Sequence, residues 1–292
     1  MRVQILVAGF LALVQGGQLA HSEQAQQAPA AQLVRDVVYN ELNDHARHGY
    51  WRYWVERRTL SGTRREEQVE TAQGPVARLT ETNGRTLDAQ SARQEEARID
   101  HLLDSPQEQA RHLAQYNEDE QRIGRILALL PDAFLYEYDG GEQDGLYHLR
   151  FRPNPSYPAH SIEARVFHAM TGELWVDGRM KRLARLEGHV AENVDFGFGL
   201  LGRLNKGGWF RLVRTQAGPN DWKTAELEVH MSIRALLVKT FAKETSETRG
   251  GFAPVPAGIR LSQAAQMLKT TEDTSAAVPA RGTPASALAF RP

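Results

Sequence analysis

Cysteine is absent from the 292-residue chain. Its absence excludes disulfide bonds, a thiolate nucleophile, cysteine-ligated zinc and the acylated cysteine of a lipoprotein. A chain of this length can bury a large core without covalent crosslinks. The composition is therefore compatible with an exported protein that needs no disulfides.

An excess of charge of either sign is absent too. The chain has 35 Lys and Arg residues against 36 Asp and Glu residues, its formal net charge is −1, and its isoelectric point is near 6.8. Such a balance creates no overall field that would favour nucleic acid or an acidic membrane surface. We therefore expect no nucleic-acid partner.

Sequence motifs for catalysis are also missing. No serine lies in a nucleophile-elbow pattern, and no glycine-rich loop precedes a helix in a βαβ unit. The glycines of residues 197–199 lie in an alternating strand pattern, where glycine marks a bulge or a bend. Asp177, Glu187 and Asp195 could pair for acid–base chemistry, but the sequence sets no distance between them. We expect a non-enzymatic protein without catalytic residues.

Long apolar runs are limited to residues 3–14, which follow Arg2 and are too few to span a bilayer. Small residues follow, with a cleavage position after Ala20 and an imperfect Gln18 three residues before the cut. This pattern is typical of a secretory signal peptide, and an uncleaved anchor is the alternative. We expect residues 1–20 to be removed and the mature protein to start near His21 in a bacterial periplasm.

Alternation of apolar and polar side chains dominates residues 162–233. A side-chain period of two places the apolar set on one face of a sheet. Turn signals at Thr171-Gly172, Asp177-Gly178 and Lys206-Gly207-Gly208 divide the stretch into strands. We therefore expect one antiparallel meander that is apolar on one side.

Several alternating rows supply the apolar side of this sheet, and one of them lies in a strand expected at residues 146–152. The side chains that we expect on its concave face, lining a ligand cavity, are Tyr147, Leu149, Phe151, Phe196, Phe198, Leu227, Val229 and Met231.

The rest of the chain alternates between helix and strand signals. Ser105-Pro106 resembles a helix N-cap followed by a first-turn proline, which divides the helical pattern of residues 89–130 into two helices. Asn83-Gly84 is a strong hairpin signal. The other expected elements are a helix at 32–46, strands at 50–60, 64–71, 76–82 and 134–138, one or two strands at 236–248, and a short helix at 261–268.

Four residues form a cluster of His and carboxylate side chains with helical spacing: Glu41, Asp44, His45 and His48. Residues three and four apart share a helix face, so a metal ion could bridge them. The simpler interpretation is a solvated helix end, where the helix dipole favours basic residues. We expect no metal site and no cofactor.

The aromatic group Tyr50, Trp51, Tyr53 and Trp54 has two interpretations. One is ordinary sheet core and edge packing. The other places some of these rings in the wall of a ligand cavity, since such cavities are lined mostly by apolar and aromatic groups.

Four segments together resemble the hairpin succession of a known family. They are residues 172–177 (Gly-Glu-Leu-Trp-Val-Asp), 181–183 (Lys-Arg-Leu), 194–197 (Val-Asp-Phe-Gly) and 206–210 (Lys-Gly-Gly-Trp-Phe). Residues 32–250 resemble the periplasmic outer-membrane lipoprotein-sorting family, which includes LolA-like and LolB-like carriers and a related sensor domain of anti-sigma-factor regulators. The missing lipobox cysteine departs from the membrane-anchored, LolB-like form.

The resemblance implies an α+β fold in which helices cover the concave face of a strongly curved antiparallel sheet, an incomplete barrel. It also implies an exported carrier that holds a lipid or lipoprotein acyl chain in a hydrophobic cavity, with an envelope protein and transient membrane contact as further partners. The alternatives are an envelope-stress sensor domain that reads a lipidated partner and, third, a lipid or glycan hydrolase. Around the domain at 32–250 we expect a flexible leader at 21–31 and a largely disordered, Ala/Pro-rich tail at 251–292.

Overall fold

A computed structural model describes residues 29–43, 49–196, 202–235 and 239–270. Within these ranges the chain forms an α+β fold, in which five helices accompany one antiparallel sheet of 13 strands that is curved and open. The predicted fold class is confirmed. None of the helices described has both the length and the apolar character that crossing a membrane requires.

The strands are β1 (Tyr50–Thr59), β2 (Gly62–Val69), β3 (Val76–Thr82), β4 (Arg85–Thr86), β5 (Phe134–Tyr138), β6 (Leu146–Pro153), β7 (Met170–Asp177), β8 (Arg182–Val190), β9 (Val194–Phe196), β10 (Gly202–Leu204), β11 (Trp209–Gln216), β12 (Trp222–Ala235) and β13 (Lys239–Val255). The helices are α1 (Ala30–Leu42), α2 (Ala89–Asp104), α3 (Pro106–Ala133), α4 (Ile162–His168) and α5 (Leu261–Lys269).

The strand order across the sheet is β4-β3-β2-β1-β13-β12-β11-β8-β7-β6-β5, and β10 pairs with both β12 and β9. Most neighbours in the sheet are also neighbours in the chain. Along this order two pairs are exceptions, β8–β11 and β1–β13, and the second defines the topology because it joins the first four strands to the last one. The centre of the sheet is therefore formed by strands from opposite ends of the domain.

The register places a continuous row of side chains across the concave face, because directly opposed residues of an antiparallel pair share a face. The row is apolar over one half of the sheet and charged over the other. From β5 to β2 it runs Tyr138, Leu149, Leu174, Leu186, Leu212, Leu227, Glu247, Arg57 and Arg64.

Two hydrophobic cores lie against the sheet, the larger on this face and the smaller on the opposite face, because Val69 pairs with Arg52 and is out of phase with Arg57. In the larger one, Val34 and Val37 of α1 pack with Phe134, Leu149 and Phe151 of β5 and β6. The second core lies under α5, where Ala264 and Leu268 pack against Val69, Val76 and Ile99. The helices thus cover the two ends of the sheet.

Several local predictions are confirmed. Ser105 caps α3, and its hydroxyl accepts a hydrogen bond from the Glu108 amide at 3.3 Å. Asn83 and Gly84 both have positive φ, at 52° and 72°, as the first and second central residues of a type I′ hairpin turn require. The short helix expected at 261–268 is α5.

The start of the predicted meander is wrong. Residues 162–168 form α4, with the Ser161 hydroxyl accepting from the Ala164 amide at 3.0 Å as an N-cap. The predicted turn at Thr171-Gly172 is also wrong, because both residues lie inside β7. A Cβ at position 172 would meet the Glu187 carbonyl oxygen at 2.0 Å and the ring of Phe151 at 2.6 Å. Glycine is there because another backbone and a ring approach closely.

The predicted boundaries at the two ends of the domain also differ from the structure. Strand β13 continues to Val255 and α5 packs into a core, so residues 251–270 are folded rather than part of a disordered tail. Helix α1 begins at Ala30, inside the predicted leader. Residues 1–28, with the predicted signal peptide, and 271–292 lie outside the described residues.

Candidate functional site

A small apolar pocket of about 70 Å³ lies between α1, the end of α3 and the sheet. Its walls are aliphatic and aromatic, apart from the carboxylate of Glu41. The helices contribute side chains such as Val37, Leu127 and Leu130, and the sheet contributes Phe151, Leu174 and Phe210, among others. It is a narrow space within the larger core.

A polar cleft of about 650 Å³ lies under the middle of α3. Tyr116, Asp119, Glu120 and Ile123 project into it from the helix, and the floor is formed by β1, β2, β11, β12 and β13. The cleft and the apolar pocket share three lining residues: Glu41, Leu127 and Leu183. The two spaces therefore adjoin, and together they form one site that is apolar at one end and charged at the other.

Glu41 stands at the junction of the two spaces. Its carboxylate accepts hydrogen bonds from Arg182 at 3.0 and 3.1 Å and from the Leu183 amide at 3.3 Å. Arg214 Nη1 lies 2.6 Å from the same carboxylate, and the side chains of all three charged residues are at least 88% buried. Two arginines and one glutamate thus tie α1 to β8 and β11.

Glu247 forms a second network of the same kind, with two arginines that line the cleft. Arg57 donates to its Oε2 at 2.7 and 2.9 Å, and Arg249 Nε donates to its Oε1 at 2.7 Å. Burial alone would raise the pKa of Glu247, but the guanidinium groups of Arg249 and Arg57 outweigh it and hold the pKa below its usual value. The carboxylate is therefore charged at neutral pH.

Glu70 forms a third network, in which its carboxylate accepts from Lys223 Nζ at 2.8 Å and from the Trp51 amide at 3.1 Å. Burial, with the charge of Glu70 beside it, raises the pKa of the Tyr53 phenol above its usual value. Burial and the nearby Glu120 raise the pKa of Tyr116 to about 12. Both phenols are protonated at neutral pH, and no histidine lines the cleft within the described part of the chain.

The structure places the predicted cavity residues on one face but in several environments. Leu149 is fully buried in the larger core, Phe151 lines the apolar pocket, and Tyr147 packs at the edge of that core against Tyr138. Leu227 and Val229 are half-buried opposite Leu212 and Phe210. Phe196 and Met231 pack in a separate cluster with Val190, Val194 and Leu204. Phe198 lies outside the described residues.

Some aromatic residues at the start of β1 line the cleft, and others pack in the sheet. Tyr50 and Tyr53 line the polar cleft. Trp51 is buried. Trp54 lies on the face of β1 opposite Trp51 and Tyr53, where the Cζ atom of Arg65 is 4.2 Å from the centroid of the Trp54 ring.

The other polar residues considered as site candidates do not form a common site in the described part of the chain. Asp44, His45 and His48 lie outside the described residues, and among the residues described no group of three or more side chains could hold a metal ion. The carboxylates considered for acid–base chemistry each have a different partner: the Met180 amide for Asp177, Arg185 and Arg211 for Glu187, and Arg203 for Asp195.

The charged floor of the cleft was missed by sequence reasoning. A signal for it exists in β1, where Tyr53 and Val55 are buried and Arg57 follows in the same phase. A charge in phase with buried apolar residues indicates either a buried ion pair or a polar cleft. The partner, Glu247, is 190 residues away, so periodicity cannot identify it.

No family model matches the chain, and a search of curated proteins finds no match to it.

Proposed function

We propose that the protein is an exported carrier that binds a lipid or lipoprotein acyl chain beneath α3. The acyl chain occupies the apolar pocket, and the polar end of the cargo lies in the charged cleft. The observation that carries this proposal is the continuity of the two spaces under one helix, through Glu41, Leu127 and Leu183. An amphiphile has the same division into an apolar and a polar end.

The apolar pocket must expand to admit a chain. Its volume of about 70 Å³ is well below the roughly 300–1,000 Å³ of typical ligand pockets. Each buried methylene contributes about 0.8 kcal/mol, so a long chain supplies enough free energy to displace side chains or a helix. In this proposal the structure is the closed form, and cargo binding requires an open one.

Helix α3 is the element suited to move. It has 28 residues, and within it only Ala133, its last residue, is fully buried. Helix α1, in contrast, is tied to the β7–β8 turn. Asn40 donates to the carbonyl oxygens of Met180 and Lys181 at 3.2 Å, and Asp36 pairs with Lys181. Cargo entry therefore separates α3 from α1 and the sheet.

Locking α3 to α1 tests this motion. A side chain at position 124 would begin 3.6 Å from Leu42 Cδ2, so Leu42→Cys with Gly124→Cys places two thiols near each other in a chain without other cysteines. We expect the crosslinked variant to bind a fluorescent fatty-acyl probe at least about tenfold more weakly, and reduction to restore binding. Mass spectrometry establishes the crosslink, and Gly124→Cys alone is the control. Equal binding by the crosslinked and reduced forms would contradict the proposed opening.

A charge at the junction tests the location of the acyl chain. Leu127 lines both spaces, whereas Leu129 packs against the same core from the same helix without lining the pocket. Leu127→Asp should weaken probe binding at least about tenfold, because an unpaired charge opposes entry of an apolar chain. Leu129→Asp is the matched control and should bind within about twofold of the parent. If the two variants bind alike while circular dichroism shows both folded, the chain does not pass Leu127.

A further inference from the structure

We propose that the polar end of the cargo is anionic, a carboxylate or a phosphate, and that it binds the arginines on the cleft floor with Arg57 as its main contact. This inference rests on the proposed carrier function and specifies the chemistry of its ligand.

The three networks of the cleft carry unequal numbers of positive and negative charges. Glu41 is shared by Arg182 and Arg214, Glu247 is shared by Arg57 and Arg249, and Glu70 pairs with Lys223. Five cations thus meet three carboxylates, which leaves two positive charges in excess. An arrangement of this kind attracts an anion, and burial strengthens the attraction because the local dielectric constant is lower than that of water.

Two carboxylates of the overlying helix face this excess in the closed form, one of which, Asp119, also accepts a hydrogen bond from Arg122 of the same helix at 2.9 Å. Asp119 and Glu120 of α3 line the cleft from the side opposite the floor. These two carboxylates move away from the floor if α3 opens to admit a chain. An anionic group on the cargo then takes their place.

Hydrogen-bonding capacity also favours an anion over a cation. The three carboxylates have both oxygens occupied: those of Glu247 by Arg57 and Arg249, and those of Glu70 by Lys223 and the Trp51 amide. Both oxygens of Glu41 likewise accept from Arg182. A cationic head would have to compete with an arginine or a lysine for these oxygens, whereas an anionic head would not.

Arg57 retains donors. A guanidinium has five N–H groups, and Arg57 uses Nε and Nη2 on Glu247. Within the described part of the chain, its Nη1 has no hydrogen-bond partner, and the side chain is 45% exposed on the cleft wall. The planar guanidinium matches the geometry of carboxylate and phosphate groups. Arg57 can therefore bind an anion without giving up Glu247.

A set of competitors with one alkyl chain and different heads tests the inference on the unmodified protein. Hexadecanoate, hexadecyl phosphate, hexadecanol and hexadecylamine are compared for displacement of the fluorescent fatty-acyl probe. We expect both anions to displace it at concentrations about tenfold lower than the alcohol or the amine, the difference that one charge-assisted hydrogen bond supplies. The order of the two anions shows whether the cargo is a carboxylate or a phosphate.

Paired variants assign the effect to the cleft. Arg57→Gln leaves Glu247 bound to Arg249 and should abolish the roughly tenfold advantage of the anions without changing hexadecanol. Arg58→Gln removes the same charge from the other face of β1. This control should change neither the advantage of the anions nor the binding of hexadecanol. Asp119→Asn with Glu120→Gln should strengthen binding of the anions, and Glu118→Gln, which is exposed next to them, should not.

The outcomes separate this inference from the carrier proposal. If all four heads compete equally, or the amine competes best, the inference is wrong and the carrier function stands. An Arg57→Gln variant that keeps the full preference for anions also overturns it. If the probe does not bind and no competitor has an effect, the carrier proposal itself fails.

Discussion

Arg57 and Arg249 hold the carboxylate of Glu247 between them, and this carboxylate is 5% exposed. Its pKa is lowered from a usual value of 4.5. A carboxyl group with a lower pKa in the folded than in the unfolded state binds its proton less tightly when folded. It therefore contributes stability that is present above the unfolded-state pKa and is lost as the pH falls through the folded-state pKa.

This linkage predicts how the variant Glu247→Gln depends on pH. At about pH 7 the variant should be less stable than the parent by about 3 kcal/mol, because it leaves two arginines without their shared carboxylate. The difference should shrink as the pH falls below 4.5, since the parent also loses the charge. Urea unfolding at several pH values measures it. Glu244→Gln, at an exposed position of the same strand, is the control. A difference that stays constant down to about pH 3 would show that the carboxylate charge is not the stabilising element.

At the scale of elements, α5 shows how a short helix becomes part of the domain. Leu261, Ala264, Ala265 and Leu268 recur at helical spacing, and all four are buried. The backbone carbonyl of Leu268 accepts a hydrogen bond from buried Arg78 at 3.0 Å, which satisfies one of the open carbonyls at the helix C-terminus. The helix thereby closes the core formed by β2, β3 and α2.

Truncation of Leu268 tests this packing. Its side chain is 1% exposed, so Leu268→Ala leaves a cavity and should lower the free energy of unfolding by about 2–5 kcal/mol. Gln266→Ala changes an exposed residue of the same helix and should stay within about 0.5 kcal/mol of the parent. Urea unfolding with equal m-values measures both. A loss below about 1 kcal/mol for Leu268→Ala would show that α5 is not required for the fold.

Helix α3 differs from α5 in what it covers. Its last turns pack against the larger core, whereas its middle spans a cleft of about 650 Å³. Ser105 and Pro106 define where α3 starts. No local sequence pattern indicates that the middle of the helix is separated from the sheet by a cleft. That property depends on the shape of the sheet below.

At the scale of the whole molecule, the pairing of β1 with β13 creates the site. It brings Arg57 next to Glu247, 190 residues later in the chain, and places the charged strands beside the apolar ones. The concave row then changes from leucine to charged residues between Leu227 and Glu247. The apolar pocket and the polar cleft lie on the two sides of this change.

The sequence by itself determined the parts of this protein that follow from local periodicity and turn chemistry. Leu227, Val229 and Met231 share a face because strand side chains alternate, and Asn83-Gly84 forms a tight turn because both positions tolerate positive φ. The strand at 146–152 and the division of the helices at Ser105 were predictable for similar reasons. These properties depend on residues only a few positions apart.

Only the tertiary structure decided which apolar residues form a closed core and which line the site. Leu149 and Phe151 follow the same alternation in β6, yet Leu149 is enclosed and Phe151 borders the pocket. Met231 belongs to the predicted face but packs in another cluster. The difference is set by which helix lies over each position. That arrangement depends on contacts between distant segments, which the period of a single strand does not contain.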